Sequence, residues 1–319
     1  MFDLMTVTLN PALDLSADSG LVVPGPKLRL GAPTVEPGGG GVNVARAATN
    51  LGGRVLAVAA LGGVTGARMA ELLGDSGVTV AAFQLDGETR QSLSVTERET
   101  GKQFRFILPG PNWTPAQVEA VFSRLSEETR HLVPGAIVVL SGSQPPGVPD
   151  DFPKELVRRL PQARIIVDTS GAALRQMVDH PEAGAKPHVL RMDQRESEES
   201  AGRQLETAAE SLDYAQALVG AGVAGVVILA RGRDGSVLAT ATERLHCVPP
   251  EVPVVSTTGA GDSFTAGFAL TVARGEGVAA ALRMGTAAAA AAVMTPGSAL
   301  CRADDVQRLV KDCQFRATP

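Results

Sequence analysis

The chain has 319 residues, 44% apolar and 20% charged, a balance that excludes disorder over most of its length. Its 35 glycines follow no G-X-Y period, which excludes a collagen-like rod. A formal charge of -5, with nine Phe, one Tyr and one Trp, argues against nonspecific nucleic-acid binding and base stacking.

At the N-terminus, Met1-Phe2-Asp3-Leu4 has neither a positive n-region nor an apolar h-region, so no secretory signal is expected. The longest apolar stretch, Ala217–Ala230, is too short to cross a membrane. Cys247, Cys301 and Cys313 are odd in number and lack C-x-x-C spacing, so they read as small buried thiols of a cytoplasmic protein. In chain order, near-continuous apolar runs predict strands at Leu4–Leu9, Val55–Ala60, Ala136–Leu140, Ile165–Asp168, Val189–Met192 and Val226–Ala230. Helices are expected over Val42–Leu51, Ala67–Gly74, Pro115–Glu128, Thr207–Ala221, Asp262–Ala273 and Val278–Met294. The alternation points to a parallel α/β body.

Two stretches break this rhythm. Lys27–Val35, and Arg90–Leu108 around Glu99-Thr100-Gly101, alternate with period two, the mark of an antiparallel sheet with one wet face. They predict a small sheet projecting from the body, as a lid or a dimer surface. The Ala287–Ala292 run reads as a helix that lets a neighbouring backbone come close.

Chemistry concentrates at two glycine clusters. Thr257-Thr258-Gly259-Ala260-Gly261-Asp262-Ser263-Phe264 carries G-A-G into a helix start, where free N–H groups and the helix dipole favour a phosphate or developing negative charge. Taken alone, Asp262 is equally a helix cap. Glu36-Pro37-Gly38-Gly39-Gly40-Gly41-Val42-Asn43 places four glycines directly before a helix, which fits a backbone pressed against a hydroxyl-rich ligand better than a linker. There is no G-x-x-x-x-G-K-[ST] loop and no early G-x-G-x-x-G, and the four histidines lack metal-ligand spacing.

Together these residues resemble the ribokinase-superfamily (PfkB) carbohydrate kinases, in the branch of the 6-phosphofructokinases, tagatose-6-phosphate kinases and 1-phosphofructokinases. The resemblance runs in order through T-L-N-P-A-L-D (Thr8 to Asp14), K-L-R (Lys27 to Arg29), E-P-G-G-G-G-V-N-V-A-R, T-R-Q (Thr89 to Gln91), S-G-S-Q-P-P-G (Ser141 to Gly147), V-D-T-S-G (Val167 to Gly171) and T-T-G-A-G-D-S-F. It implies one ribokinase-like domain over 1–319, a three-layer doubly wound α/β sheet with a small antiparallel lid drawn from about 12–36 and 88–108. It also implies phosphoryl transfer from ATP, with Mg2+, to a phosphorylated ketohexose, in a homodimer formed through the lid sheet. By the same resemblance Asp262 is the base, and Gly259, Ala260 and Gly261 form the anion hole. Asp14, Gly39, Gly40 and Asn43 hold sugar hydroxyls, and Ser141 lies at a strand's C-terminal end beside them. Arg90 is the foremost candidate for the substrate phosphate, because its fork matches phosphate oxygens. Lys27, Arg29 and Arg105 either assist it or are solvated lid charges.

The donor side departs from the family pattern. Its K-P-N-x-x-E segment is Arg191-Met192-Asp193-Gln194-Arg195-Glu196 here, so Asp193 and Glu196 either organise magnesium or cap a helix, and Arg191 replaces a lysine beside the nucleotide. In Ala230-Arg231-Gly232-Arg233-Asp234-Gly235 the family's serine is missing while Gly232 and Gly235 remain, and Arg231 and Arg233 are nucleotide contacts or loop charges. Thr257 completes the nucleotide side, and Ser256 stands where some relatives carry an acidic residue near a K+ site. The expected activity is phosphorylation of the C1 hydroxyl of fructose 6-phosphate. Tagatose 6-phosphate or fructose 1-phosphate is the alternative acceptor, and a non-catalytic sugar-phosphate binder is the alternative class.

Overall fold

The computed structural model describes residues 1–297 and 299–317. The chain runs β1 (Phe2–Thr8), β2 (Ala12–Ser19), β3 (Thr34–Gly38), α1 (Gly40–Asn50), β4 (Val55–Leu61), α2 (Gly63–Asp75), β5 (Thr79–Gln84), β6 (Arg90–Glu97) and β7 (Gln103–Ile107). It continues through α3 (Pro115–Glu128), β8 (Leu132–Ser141), α4 (Phe152–Arg159), β9 (Arg164–Asp168), α5 (Gly171–Asp179), β10 (Val189–Met192), α6 (Gln194–Ala201) and α7 (Ala208–Gly220). It ends with β11 (Val226–Ala230), β12 (Ser236–Ala239), β13 (Arg244–Val248), α8 (Ala260–Ala273), α9 (Val278–Val293), α10 (Ala303–Leu309) and β14 (Gln314–Phe315).

Period-two packing explains the body. Leu4, Ile137 and Val139 face one core with α1, α2, α8, α9 and α10, whereas Met5, Val7, Val138 and Leu140 face a second core with α3, α4, α5 and α7. A ten-stranded sheet thus lies between two helical layers, in the order β14-β13-β12-β11-β10-β9-β8-β1-β4-β5. It is parallel from β11 to β5 and antiparallel at the β12–β14 edge. From β1 the chain builds outward to β4 and β5, then crosses to β8 on the other side. That reversal opens a crevice at the C-terminal ends of β1 and β8, where ligands of open α/β sheets sit.

The helices have local reasons to start and to pack where they do. A capping box opens α3: Gln117 N–H donates to Thr114 Oγ1 (3.3 Å) and Thr114 N–H to Gln117 Oε1 (2.8 Å), with Pro115 at the first turn. The alanine run lies in α9 as expected and brings it against α8, where a Cβ on Gly267 would meet Met284 O at 3.0 Å and Ala288 Cβ at 3.1 Å.

The lid is a four-stranded sheet in the order β3-β2-β6-β7, and it corrects the expectation of an antiparallel sheet. β2 pairs with β6 in parallel from Ala12↔Arg90 to Ser19↔Glu97, while β2–β3 and β6–β7 are antiparallel. Both β2 and β6 leave the same edge of the body, after β1 and β5, so they must run the same way. Alternation reports only that one face is wet, not strand direction. A second correction concerns Lys27–Val35: strand begins at Thr34, residues 27–33 are exposed coil, and the partner strand is β2, which the alternation does not reveal.

Candidate active site

The N-terminus of α8 is open. Gly259 caps it in the left-handed region (φ 75°), and no side chain occupies the cap. Directly after it, Asp262 accepts a hydrogen bond from Asn43 Nδ2 at 2.9 Å. Burial, reinforced by the negative charge of Asp168, pushes the Asp262 carboxyl up to about 7, against the pull of Asn43 and Arg191. A carboxyl poised there can exchange a proton near neutral pH.

Below the G-A-G segment lies a fixed cation. Arg191 is buried, its Nη1 donates to both oxygens of Asp168 at 3.1 Å, and Thr265 Oγ1 donates to Asp168 Oδ2 at 2.9 Å. Its guanidinium lies 5.7 Å from the Phe264 ring centroid. Gly261 passes directly over it: a Cβ there would sit 2.9 Å from Nη2 and 3.1 Å from Nη1. Sequence reasoning does not single out Asp168; the signal for it is a carboxylate closing the β9 run within V-D-T-S-G.

The other glycine cluster is explained by close approach. A Cβ on Gly40 would meet Ser141 Oγ at 2.5 Å and Gly142 N at 2.6 Å, and Gly39 has φ 106°. The start of α1 therefore lies against the end of β8, with the buried Ser141 between them. Asn43 is oriented by Arg46, whose Nη1 donates to its Oδ1 at 3.5 Å and to Pro37 O at 3.0 Å, while Nη2 pairs with Glu36 at 3.2 Å. Arg46 and Glu36 likewise carry no role in the sequence reading.

On one side of the Thr257–Asp262 segment, a polar cavity of about 190 Å³ is lined by Asp14, Gly39, Arg90, Ser92, Arg105 and Thr258. Asp14 is wedged between Ser92, which donates to its Oδ1, and Gly38, where a Cβ would lie 1.9 Å from Oδ2. Burial raises its carboxyl above the ordinary range, partly offset by Ser92 and Arg90. Arg90 is anchored through Nε (3.1 Å) and Nη2 (3.0 Å) to Asn10 O, and burial lowers its pKa. Arg105 is exposed and reaches from the lid to Thr258 Oγ1 at 2.8 Å. Lys27 and Arg29 are exposed in the coil and do not line this cavity, which removes them from the site within one chain.

On the other side lies a larger cavity of about 740 Å³, lined among others by Arg191, Asp193, Gly232, Gly235, Thr257 and Gly261. Arg231 is the exception. It is buried and turned the other way, donating to Leu205 O (2.9 Å), Glu206 O (2.8 Å) and Ser211 Oγ, so it anchors the start of α7 and is neither a phosphate contact nor a loop charge. Arg233 is exposed and lines the large cavity beside Gly232.

Asp193 and Glu196 form a capping box on α6. Asp193 Oδ1 accepts from Glu196 N–H and Glu196 Oε2 from Asp193 N–H, each at 2.8 Å. The pair thus takes the capping role, one of the two expected for it, and the described residues contain no group of three or more His, Cys, Asp or Glu suited to an ion. Each keeps an oxygen outside the box, and burial pushes the Glu196 carboxyl up to about 7, with the charges of Asp193 and Asp168 adding to it. Magnesium bound with a nucleotide needs only one or two carboxylates, so this acidic corner fits such an ion. Ser256 Oγ donates to Gly297 O at 3.2 Å and accepts from Thr258 N–H at 3.2 Å.

The sequence pattern of the pfkB family carbohydrate kinases matches residues 7–305. The chain is 40% identical over 309 residues to an ATP-dependent 6-phosphofructokinase isozyme 2 of Mycobacterium tuberculosis, covering 96% of this chain and 88% of that one. Among solved structures, phosphofructokinase-2 of Escherichia coli in complex with fructose-6-phosphate superposes with a TM-score of 0.86 at 34% identity, covering 98% of this chain and 99% of the other. The same enzyme in complex with potassium gives a TM-score of 0.89 at 35% identity, with the same coverage.

Proposed function

The chain belongs to the pfkB family of carbohydrate kinases, and from that premise we propose that it transfers the γ-phosphoryl group of MgATP to the C1 hydroxyl of fructose 6-phosphate. The observation that carries the reading is the segment that leads into Asp262. Thr258 lines the small cavity holding Arg90 and Asp14, Thr257, Ala260 and Gly261 line the large one bordered by Gly232 and Gly235, and no side chain caps the helix start that follows.

In this mechanism the sugar enters the small cavity with its phosphate toward Arg90 and Arg105. Asp14 and the Gly39–Gly40 backbone take its hydroxyls, and the C1 hydroxyl faces Asp262. Asn43 fixes one carboxylate oxygen through its amide, leaving the other to accept the hydroxyl proton as the oxygen attacks phosphorus. The N–H groups at the start of α8 and the Arg191 guanidinium meet the charge of the transferring group, which is where phosphoryl transfer needs help. Magnesium, when bound, neutralises the nucleotide's phosphate charge, and Glu196 with Asp193 would hold it. A potassium ion would find the neutral oxygens of Ser256 and Gly297, with the Glu36 carboxylate close by, its Oε2 3.6 Å from where a Cβ on Gly297 would sit.

The reading extends to organisation. We take the whole chain as one catalytic unit with the lid as its insertion. Phe106 is exposed on the face of β7 opposite the one on which Ile107 lines the small cavity, and it provides an apolar contact for a second lid in a homodimer. Three buried cysteines outside any disulfide fit a reducing cytoplasm. The test is ADP release with MgATP and fructose 6-phosphate, tagatose 6-phosphate, fructose 1-phosphate or free fructose, with and without K+. Highest kcat/KM on fructose 6-phosphate is expected, and no ADP from any hexose phosphate would replace catalysis with sugar-phosphate binding alone.

A further inference from the structure

At the edge of the large sheet, β13 and β14 pair antiparallel with Cys247 opposite Phe315 and Val248 opposite Gln314. Cys313 precedes Phe315 by two residues, which places it on the same face as Cys247 and diagonally across from it. The two thiols are within hydrogen-bonding reach of one another, and both residues are buried. Arg283, stacked 4.7 Å from the Phe315 ring centroid, adds positive charge beside both sulfurs. The hydrogen bond with Cys313 holds the Cys247 thiol below its ordinary value against burial, with Thr286 and Arg283 adding to it. The same contact and burial raise Cys313, so Cys247 is the member that supplies the thiolate, the reactive form in exchange chemistry. The third cysteine is held apart: the Cys301 N–H donates to Ser263 Oγ at 3.3 Å, and burial pushes its thiol up to about 11.

We infer that Cys247 and Cys313 are a thiol pair that closes reversibly to a disulfide by exchange with a small-molecule disulfide. One cysteine, as thiolate, attacks a sulfur of the small disulfide, forming a mixed disulfide and releasing one small thiolate. The second cysteine loses its proton and attacks the protein sulfur of that mixed disulfide, releasing the second small thiolate. Two protein thiols are oxidised and one small disulfide is reduced. Entry follows from the fold, because β14 is two residues long and lies at the sheet edge, so its fraying uncovers both sulfurs at low cost.

The cross-link ties the C-terminal tail to β13 and closes a loop that spans α8, α9 and α10, which restricts the unfolded chain. It also braces the donor side. The Cys247 carbonyl lies against Gly235, where a Cβ would be 2.0 Å away, and β13 runs on into Pro249 and Pro250 of the large cavity wall. The inference does not rest on the proposed activity.

Folded protein is incubated with excess oxidised glutathione at mildly alkaline pH, quenched in acid, and read by intact mass, thiol alkylation in denaturant and peptide mapping. The three alkylatable thiols are expected to fall to one, Cys301, with a mass loss of two hydrogens and a peptide linking Cys247 to Cys313. Dithiothreitol restores all three, and the oxidised form melts at a higher temperature than the reduced one. In Cys313→Ser the paired loss disappears, and any modification is a single glutathione adduct. Retention of three thiols, a stable glutathione adduct on the unaltered protein, a link through Cys301, or equal melting temperatures would overturn the inference.

Discussion

Asp262→Asn removes a charge while keeping a shape. The Asn43 amide can donate to the carbonyl oxygen of the introduced amide as it does to the carboxylate, so no local collapse follows. The carboxyl moves from an ordinary 3.8 to about 7 on folding, roughly three units at ~1.4 kcal/mol each, or at most ~4 kcal/mol held against the charged form. Residual solvent contact and relaxation cut this to about half. Because the native state binds this proton more tightly than the unfolded chain, wild-type stability falls as pH rises from about 4 to about 7 and levels off above. The Asn variant lacks that fall, so the stability gap opens through this window and favours the variant at higher pH. Turnover should nevertheless drop ~10²–10⁴-fold, ~3–6 kcal/mol of barrier, with loss of the base. Urea unfolding of both proteins across pH, with kcat measured alongside, tests both halves. A stability gap that ignores pH, or a kcat close to wild type, would refute the reasoning.

Other perturbations separate the parts of the site. Gly261→Ala pushes a methyl into the Arg191 guanidinium, so kcat should fall ~10²-fold, while the melting temperature holds because alanine favours the helix by ~1 kcal/mol; equal kcat would remove the anion hole from this place. Ser92→Ala takes away the donor on Asp14 and should raise KM for the sugar phosphate ~10-fold with kcat less affected, as expected for ~1–1.5 kcal/mol of lost hydrogen bonding; an unchanged KM would show that Asp14 does not hold the sugar. Arg231→Met strands the Leu205 and Glu206 carbonyls and should cost ~1–3 kcal/mol in urea unfolding, with KM for ATP little changed. The acid limb of kcat/KM should lie near pH 7, rising as Asp262 loses its proton; a limb two or more units lower would contradict the environment described for it.

The body was legible because its strands are covered on both faces. Runs such as Val189–Met192 and Val226–Ala230 have no wet side to interrupt them, and the structure gives those same limits. The edge was not: β13 reads Arg-Leu-His-Cys-Val, half exposed, and β14 spans two residues, too few for any period to register. At the site, glycines marked the places of close approach, since Gly40 and Gly261 lie where a methyl would strike Ser141 or Arg191. Arginines were harder. Arg231 and Arg233 stand two apart in one loop, yet one is buried in carbonyls and the other almost fully exposed. Side-chain direction there depends on α7, remote in sequence from both.

The parallel pairing of β2 with β6 bears on how such a protein can diversify. Asp14 and Arg90 stand near the roots of those two strands, and Arg90 is tied to Asn10 beside the root of β2. The two groups proposed to hold the ends of a sugar therefore descend together on one appendage, while the walls of the other cavity come from β10 to α9. A change confined to the appendage can therefore reshape the small cavity and leave the walls of the large one as they are, and the reverse holds equally. Asp262, on the helix that starts between the two sets of walls, is the point where both have to agree.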